Sequence, residues 1–284
     1  MTDVLGLGPA GSVSAFAPDL HHFSGRGGKD VIPLYRDANA SQANVTHDLL
    51  DTVGRTLGEA VTAEDFVAYC YALLTSPAYV EKFSEDLTVP GPRIPITKDA
   101  GLFRRAKDVG QKLIWLHTFG ERFVPSGQRT REVPQGRARC VRGISDEPDR
   151  YPEKFSYSVS TPELLLVGDG EFAPVREDVW QFSLSGFQVL YSWLSYRMKA
   201  GAGRQSSPLD EIRPERWTAS MTQELLEVLW VIEGTIDLFP ELEALFNDII
   251  AGQTYAASEL PQPTPEERRP PSEEEDSAQQ TFEM

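Results

Sequence analysis

Apolar side chains at helical spacing predict helices at both ends of the chain. From 63 to 75 the apolar positions recur at i, i+3, i+4 and i+7, with Thr62 at the N-cap, Asp65 three positions later and Pro77 after the last turn. These signals predict a helix over 63–75. Similar stripes predict further helices over about 100–119, after Gly186, over 219–238 and over 241–250.

The middle of the chain has the alternation that is typical of strands. Residues 155–159 alternate, and the runs 164–167 and 171–175 flank Gly168-Asp169-Gly170, a sequence that favours a tight hairpin. Residues 180–184 alternate as well, which predicts another strand with one buried face. Helices followed by strands and then by helices favour an α+β fold, with a helical scaffold around a small, mostly antiparallel sheet.

Charge separates the end of the chain from the rest. The 284 residues include 27 Lys and Arg and 43 Asp and Glu, a net charge of −16, which argues against a protein that coats nucleic acid. Residues 258–284 hold eight acids, two bases and five prolines, and we predict that they form a disordered acidic tail. The expected folded domain is 1–257, with possible parts 1–120 and 121–257.

Two segments carry the opposite charge. Residues 122–142 contain six arginines and one acid, a charge of +5, among several Pro and Gly residues. Residues 197–204 carry +3, and Gly201 and Gly203 would let the backbone approach a ligand closely. The sequence leaves two interpretations open for the longer segment, a solvated or partner-facing loop and a loop that contacts phosphates.

Motifs of catalysis are weak in this sequence. Gly6, Gly8 and Gly11 match the dinucleotide pattern, but no convincing strand precedes them and no helix follows, so a turn is favoured. Gly25-Arg-Gly-Gly-Lys29 lacks the phosphate-loop spacing and is interpreted as a basic turn before a strand at 31–35. His21-His22 would point to opposite faces of a strand, which disfavours a shared metal ion.

Cysteine content and hydropathy limit the class of protein. Only Cys70 and Cys140 are present, so a disulfide framework and a four-cysteine zinc site are excluded. We expect no spanning helix, because no apolar run approaches 18 residues, and no secretory signal. The expected compartment is the reducing cytoplasm.

Five segments together point to a known family. They are 23–36, 65–79, 92–95, 179–194 and 206–210, and the most specific are Tyr-Ala-Leu-Leu-Thr-Ser-Pro-Ala-Tyr and Gly-Phe-Gln-Val-Leu-Tyr-Ser-Trp-Leu. In their order and spacing they resemble the C-terminal target-recognition region of type ISP restriction-modification enzymes. Those polypeptides combine a nuclease, a DNA-translocating ATPase, an adenine-N6 methyltransferase and a recognition domain.

The resemblance implies a DNA-recognition (specificity) module of a restriction-modification or phage-defence system. In the family the methyltransferase motifs precede this region, so it implies no catalytic residue and no cofactor here; S-adenosylmethionine, ATP and Mg²⁺ would belong to missing domains. The implied partners are double-stranded DNA and a methyltransferase or helicase chain. Candidate DNA-binding residues are Arg26, Lys29, Arg129, Arg131, Arg137, Arg139, Arg142, Arg197, Lys199, Arg204, Ser206 and Ser207.

One alternative stays open at this point. The chain would then be a protein-interaction remnant that does not bind DNA, or an acidic partner or inhibitor of a methyltransferase subunit. The aromatic side chains between 180 and 193 do not separate the two hypotheses, because at strand and helix spacing we predict that they are core rather than base-stacking residues.

Overall fold

The structure, a computed structural model, describes residues 8–16, 31–37, 39–88, 91–199 and 215–269. The described residues form two compact units. Unit 1 comprises 16–114 and 240–269, and unit 2 comprises 8–15 and 115–239. The segment 240–257, which we had grouped with the second half of the chain, thus lies with the first. No helix in the described residues is both long and apolar enough to cross a membrane.

The first helices follow the predicted stripes, with two additions. Thr62 caps its helix through a hydrogen bond from the Asp65 N–H (3.1 Å), and Asp65 accepts the Thr62 N–H (3.3 Å). The capping box and the helix over 63–75 are therefore confirmed. The sequence patterns do not predict the two short helices over 49–57 and 77–82. The helices up to residue 117 are α1 (Leu49–Leu57), α2 (Ala63–Thr75), α3 (Pro77–Lys82) and α4 (Ala100–His117).

Two tyrosines organise the core of unit 1. Tyr69 stacks on Phe103 with 4.8 Å between ring centroids, and its hydroxyl donates to the Pro95 carbonyl (2.6 Å). The Tyr79 hydroxyl donates to the Arg93 carbonyl (2.9 Å). Two of the segments that carry the family resemblance, 65–79 and 92–95, thus hold each other in place and act as scaffold.

Unit 2 is built around a four-stranded antiparallel sheet and a separate two-stranded ribbon. The strands are β1 (Arg139–Arg142), β2 (Phe155–Ser158), β3 (Leu164–Val167), β4 (Gly170–Ala173), β5 (Ser183–Leu184) and β6 (Phe187–Gln188). The sheet has the order β1-β4-β3-β2, and the ribbon pairs β5 with β6. The β3–β4 hairpin turns at Gly168-Asp169, as the sequence predicts.

One predicted strand forms only in part, since within 180–184 only β5 (Ser183–Leu184) is a strand, and the one predicted at 31–35 is wrong. At 177–180 the chain forms a helical turn, in which the Arg176 guanidinium pairs with Asp178 (2.8 Å) and the Arg176 carbonyl accepts the Trp180 N–H (3.0 Å). Trp180 is partly buried because it stacks on Tyr157 at 5.1 Å, so its apolar character reflects a tertiary contact. Among the described residues, 31–35 form a single β-bridge, from Tyr35 to Ala43.

Of the four later helices in the described residues, three pack around the sheet of unit 2. The four are α5 (Glu177–Trp180), α6 (Val189–Ser195), α7 (Ala219–Ile236) and α8 (Phe239–Ala251), of which α8 lies almost wholly in unit 1. Leu165, Phe172, Leu190 and Leu229 are among the fully buried side chains of the core. Trp180, Phe182 and Trp193 pack against this core, which confirms the prediction that they are scaffold residues.

The beginning of the expected tail makes defined contacts in unit 1. Glu259 pairs with Lys98 (2.7 Å), and the Glu267 carboxylate accepts the His47 N–H (2.5 Å). Arg36 donates to the backbone carbonyls of Glu267 (3.0 Å) and Arg269 (2.6 Å). The expected boundary at 258 is therefore too early, because these carboxylates and carbonyls find donors in the folded chain. Residues 270–284 lie outside the described part.

Candidate functional site

Two side chains of α7 hold the backbone of the basic segment. Glu233 is only 3% exposed, and its carboxylate accepts the N–H groups of Arg137 (2.5 Å) and Ala138 (3.3 Å). One turn earlier, the Trp230 indole N–H donates to the Ala138 carbonyl (2.9 Å). The peptide groups at 137 and 138 are thus fixed before any ligand binds. We call Glu233 and Trp230 the α7 anchor.

A glycine makes room for this anchor. A Cβ atom at Gly136 would lie 2.0 Å from a Glu233 carboxylate oxygen and 2.8 Å from the Trp230 ring. Real Cβ atoms do not approach other atoms so closely, so position 136 has to be glycine for Glu233 to reach the next two N–H groups. The residue type at 136 therefore follows from packing.

The arginines next to the anchor point outward. The Arg137 side chain is 61% exposed, and its guanidinium lies 3.6 Å from the Asp237 carboxylate. The Arg139 guanidinium donates to the Gly136 (2.5 Å) and Ala138 (2.8 Å) carbonyls and lies 6.0 Å from the centre of the Trp230 ring. Both cations are thus held at the surface of unit 2.

Strand β1 extends this surface along the edge of the sheet. The last residues of the predicted irregular loop 122–142 form this edge strand, with a bulge between Cys140 and Arg142. Arg142 pairs with Glu171 (2.7 Å) on β4 and donates to the Asp169 carbonyl (2.6 Å) in the β3–β4 turn. The strand leaves Arg139 and Arg142 on an exposed sheet edge.

Upstream of this edge the chain forms a loop that is closed at its base, residues 120–131, which we call the closed loop. The Arg131 N–H donates to the Gly120 carbonyl (2.9 Å), and the Arg131 guanidinium pairs with Glu121 (2.7 Å). Gly120 has φ +79°, and a Cβ there would lie 2.6 Å from the Glu132 backbone N and O. Arg122 joins the base to Ala15 by a 3.1 Å hydrogen bond.

The tip of the closed loop is exposed from 125 to 131. The Gln128 N–H donates to the Pro125 carbonyl (3.0 Å), and Gly127 has φ +84°, which together define a tight turn. Arg129 is 85% exposed, and its guanidinium lies 3.5 Å from Glu132. The tip therefore presents polar side chains on a backbone that is ordered by its own hydrogen bonds.

The second basic segment is described only up to residue 199. The Arg197 guanidinium lies 3.6 Å from the centre of the Trp193 ring and 3.6 Å from a Glu224 oxygen, and burial lowers its pKa. Lys199 lies 3.5 Å from Glu153 and is half exposed. Arg197 thus packs into the scaffold, whereas Lys199 lies at the surface. The candidates Arg26, Lys29, Arg204, Ser206 and Ser207 lie outside the described residues, as does the pair His21-His22.

The carboxylate partners of these arginines do not prevent a ligand from binding. An exposed ion pair contributes only about 0–1 kcal/mol, because water screens both charges. A phosphate carries a full negative charge and accepts hydrogen bonds from arginine in the same geometry. The exposed guanidinium groups can therefore exchange Asp237, Glu132 or Glu171 for a phosphate at little cost.

The glycine pattern near the N-terminus has a packing explanation. Gly8 has φ +77°, and a Cβ there would lie 1.6 Å from the Ser183 carbonyl oxygen of β5. Ser185 donates its N–H to the Pro9 carbonyl (3.1 Å). The expected turn between two strands is not seen, since residues 8–16 form no strand. Among the described residues, no group of three or more His, Cys, Asp or Glu side chains is arranged to hold a metal ion.

Sequence reasoning missed the anchor and the neutral residues of the loop tip. Glu233 is a lone acid inside the apolar run Val-Leu-Trp-Val-Ile-Glu-Gly-Thr-Ile of α7, which is the signal that could have shown a buried partner. Gln128 lies within the predicted basic loop, but it is neutral, so a search for charged residues does not select it.

Comparison with known proteins gives one family and several related structures. The model of the "Type ISP C-terminal specificity domain" matches residues 5–228. A structure of DrdV in a complex with DNA has 20% sequence identity and a TM-score of 0.52, covering 75% of this chain and 21% of that chain. At this identity the likeness concerns the fold.

Two further structures are more distant. The ATP-dependent Type ISP restriction-modification enzyme LlaBIII, bound to DNA, has 17% identity and a TM-score of 0.49, covering 73% of this chain and 13% of that one. A nuclease-deletion mutant of the Type ISP enzyme LlaGI with a DNA substrate mimic has 18% identity and a TM-score of 0.44, covering 64% and 14%. This chain therefore spans about an eighth to a fifth of the chains it matches. No curated protein sequence matches it.

Proposed function

This chain belongs to the family of Type ISP C-terminal specificity domains, and we propose that it recognises a DNA sequence for a restriction-modification or phage-defence methyltransferase. The observation that carries the proposal is the ordered basic surface of unit 2. On a chain of net charge −16, the α7 anchor and strand β1 present Arg137, Arg139 and Arg142 together with the closed loop.

These arginines suit contact with the DNA backbone. Phosphate contacts fix the register of a protein on a duplex, and they come from guanidinium groups held by a rigid scaffold. Arg137 and Arg139 follow directly after peptide groups that Glu233 and Trp230 fix, so little backbone entropy is lost on binding. Arg142 adds a third cation at the end of the same strand.

The chemistry of the whole assembly would come from other domains or from a partner chain. S-adenosylmethionine, ATP and Mg²⁺ would be bound there, and this chain would select the DNA that the methyltransferase or helicase acts on. A module with this function acts in the cytoplasm, where the DNA is. This chain spans 21% of the DrdV chain, which supports such a division of labour.

Salt dependence of DNA binding tests the proposal. Replacing Arg137, Arg139 and Arg142 by Ala removes three proposed phosphate contacts, so the slope of log K against log salt should become shallower by about 2.7, at roughly 0.9 per contact. Fluorescence anisotropy of a labelled duplex between 50 and 200 mM salt, with the full chain, measures this slope.

The matched control replaces three exposed arginines of unit 1. Arg93, Arg104 and Arg105 also lie in exposed ion pairs, at 3.4–3.7 Å from their carboxylates. We expect their removal to leave the slope within the error of the wild-type value. If the two triple variants have equal slopes of log K against log salt, the arginines of the β1 edge do not contact DNA phosphates. If the wild-type chain binds no duplex at any salt, the protein-interaction hypothesis stands instead.

A further inference from the structure

We infer that the closed loop is the base-reading element of this domain, with Gln128 and Arg129 as its specificity-determining side chains. The inference rests on the proposed DNA recognition and adds a division within the basic surface. The loop tip reads base edges, and the arginines of β1 bind phosphates.

The loop tip and the β1 segment differ in residue type, as is required if one reads bases and the other binds phosphates. From 137 to 142 the sequence is Arg-Ala-Arg-Cys-Val-Arg, which has cations but no amide or hydroxyl side chain. From 126 to 130 it is Ser-Gly-Gln-Arg-Thr. Gln forms paired hydrogen bonds with adenine, Arg forms them with guanine, and Ser and Thr accept or donate to either. The tip therefore carries the chemistry of sequence discrimination.

The loop backbone is ordered before binding. The Arg131 N–H closes the loop onto the Gly120 carbonyl, the Glu121–Arg131 pair reinforces the base, and the turn from Pro125 to Gln128 fixes the tip. A reader that is ordered in advance loses less entropy when it binds, and it presents its side chains at fixed spacing. Arg129 is 85% exposed, more than Arg131 (74%) or Arg137 (61%).

The length of the loop is compatible with a groove. Ten residues separate Gly120 from Arg131, so each arm has about five residues and extends at most roughly 16–18 Å. The major groove is about 8.5 Å deep. The β3–β4 turn at Gly168-Asp169 has only two residues and is too short to enter it.

Negative charge argues against the other long irregular segment described in unit 2 as the base-reading element. Residues 143–154 contain four acids and two bases, so they carry −2 and would be repelled by phosphates. The closed loop carries +2. Among the described segments of unit 2, the closed loop thus combines length, exposure, polar side chains and positive charge.

Selection of DNA sequences by variants tests the assignment. The full chain is used to select binding sites from a random duplex library, with Gln128→Ala and Arg129→Ala in parallel. In each variant, the preference for the selected base over the other bases should fall by about 5- to 150-fold at one or two adjacent base pairs. A paired contact between a side chain and a base discriminates by about that factor. Affinity for non-selected DNA should change little.

Matched controls keep residue type and exposure. Gln135→Ala removes an exposed glutamine outside the loop, and Arg93→Ala removes an arginine that is also 85% exposed and paired at 3.7 Å. Both should select the wild-type sequence. If Gln128→Ala and Arg129→Ala also select it, or if the wild-type chain binds duplexes without preference, the loop is not the reader, while the phosphate contacts of the β1 edge still stand. If the wild-type chain binds no DNA, the proposed function fails together with the inference.

Discussion

Glu233 links the longest buried helix of unit 2 to the basic surface. Its carboxylate is almost fully removed from water, and both of its oxygens accept backbone N–H groups of the segment that carries the arginines. A buried carboxylate needs such partners, because its desolvation is costly when it is unpaired. The position of Arg137 and Arg139 therefore depends on a residue that touches no ligand.

Loss of Glu233 should weaken unit 2. Glu233→Ala leaves the N–H groups of Arg137 and Ala138 without their acceptor, so we expect the free energy of unfolding to fall by about 2–4 kcal/mol. Glu233→Gln keeps one acceptor oxygen and should lose less. Urea unfolding followed by tryptophan fluorescence measures both, with the exposed Glu243→Ala as control. A loss no larger than that of the control would contradict the anchor.

His117 is the second residue whose state depends on burial. Its Nε2 lies 2.8 Å from the Thr235 hydroxyl, which itself donates to the Val231 carbonyl (2.7 Å). Burial lowers the pKa of His117 to about 4, so the imidazole is neutral in the folded protein at pH 7.

This shift predicts a pH dependence of stability. The unfolded chain binds a proton at His117 near pH 6.5, and the folded chain binds it only near pH 4, so the contribution is complete above pH 6.5 and is lost as the pH falls towards 4. Between pH 7 and pH 4 the wild type should lose about 3 kcal/mol more unfolding free energy than His117→Gln. Urea unfolding at both pH values checks this; an equal loss in wild type and variant would place His117 in water.

At the scale of elements, the closed loop and β1 show how irregular backbone becomes a defined surface. Glycine at position 120 permits the left-handed conformation at the base and the close approach of Glu132. One backbone hydrogen bond and one ion pair then close the loop. The order of the loop is thus local, and a single residue at its base controls it.

Gly120→Val should open the loop. A β-branched residue is strained at φ +79°, and its Cβ would collide with the Glu132 backbone. If this strain destabilises the closed loop by about 1–2 kcal/mol, the population of molecules with an open loop rises about 5- to 30-fold. Trypsin cleavage after Arg129 and Arg131 should then accelerate by the same factor. Gly143→Val is the control, since nothing lies within 4 Å of its Cβ position. Equal cleavage rates in the two variants would mean that Gly120 does not hold the loop.

At the scale of the whole molecule, the chain combines an acidic total with a local basic surface. The net charge of −16 disfavours binding to DNA at arbitrary surfaces, which leaves the contacts to the few places where arginines are exposed. Part of the acidity is used within the fold, because Glu259 and Glu267 accept hydrogen bonds from Lys98 and from the His47 backbone. The Lys98 hydrogen bond lowers the pKa of Glu259, and hydrogen bonds from the backbone N–H groups of Thr264 and His47 lower the pKa of Glu267.

Two truncations separate the structural part of the C-terminus from the rest. Ending the chain after residue 269 should leave Tm unchanged, since the composition of 270–284 predicts no packed structure. Ending it after residue 257 removes the contacts to Arg36, His47 and Lys98 and should lower Tm by about 2–4 °C. Differential scanning calorimetry measures both, and equal Tm values would show that 258–269 add no stability.

Much of the fold could be predicted from local patterns. The capped helix at 63–75, the long helix α7 and the hairpin at Gly168-Asp169 depend on side chains within a few positions of each other, and all three are confirmed. The strand predicted at 180–184 forms only over Ser183–Leu184, because Trp180 owes its burial to Tyr157, which lies on another element.

The sequence by itself determined the family, the α+β class and the location of the basic segment, because motifs, periodicity and charge are properties of neighbouring residues. Only the tertiary structure decided which arginines are presented and which are packed. Glu233 and Arg137 are 96 residues apart in the chain, and the partly buried Arg197 pairs with Glu224, 27 positions away, while Arg129 is 85% exposed. Such pairings arise when elements pack, because burial makes a carboxylate or a guanidinium take the partner that lies nearest in space.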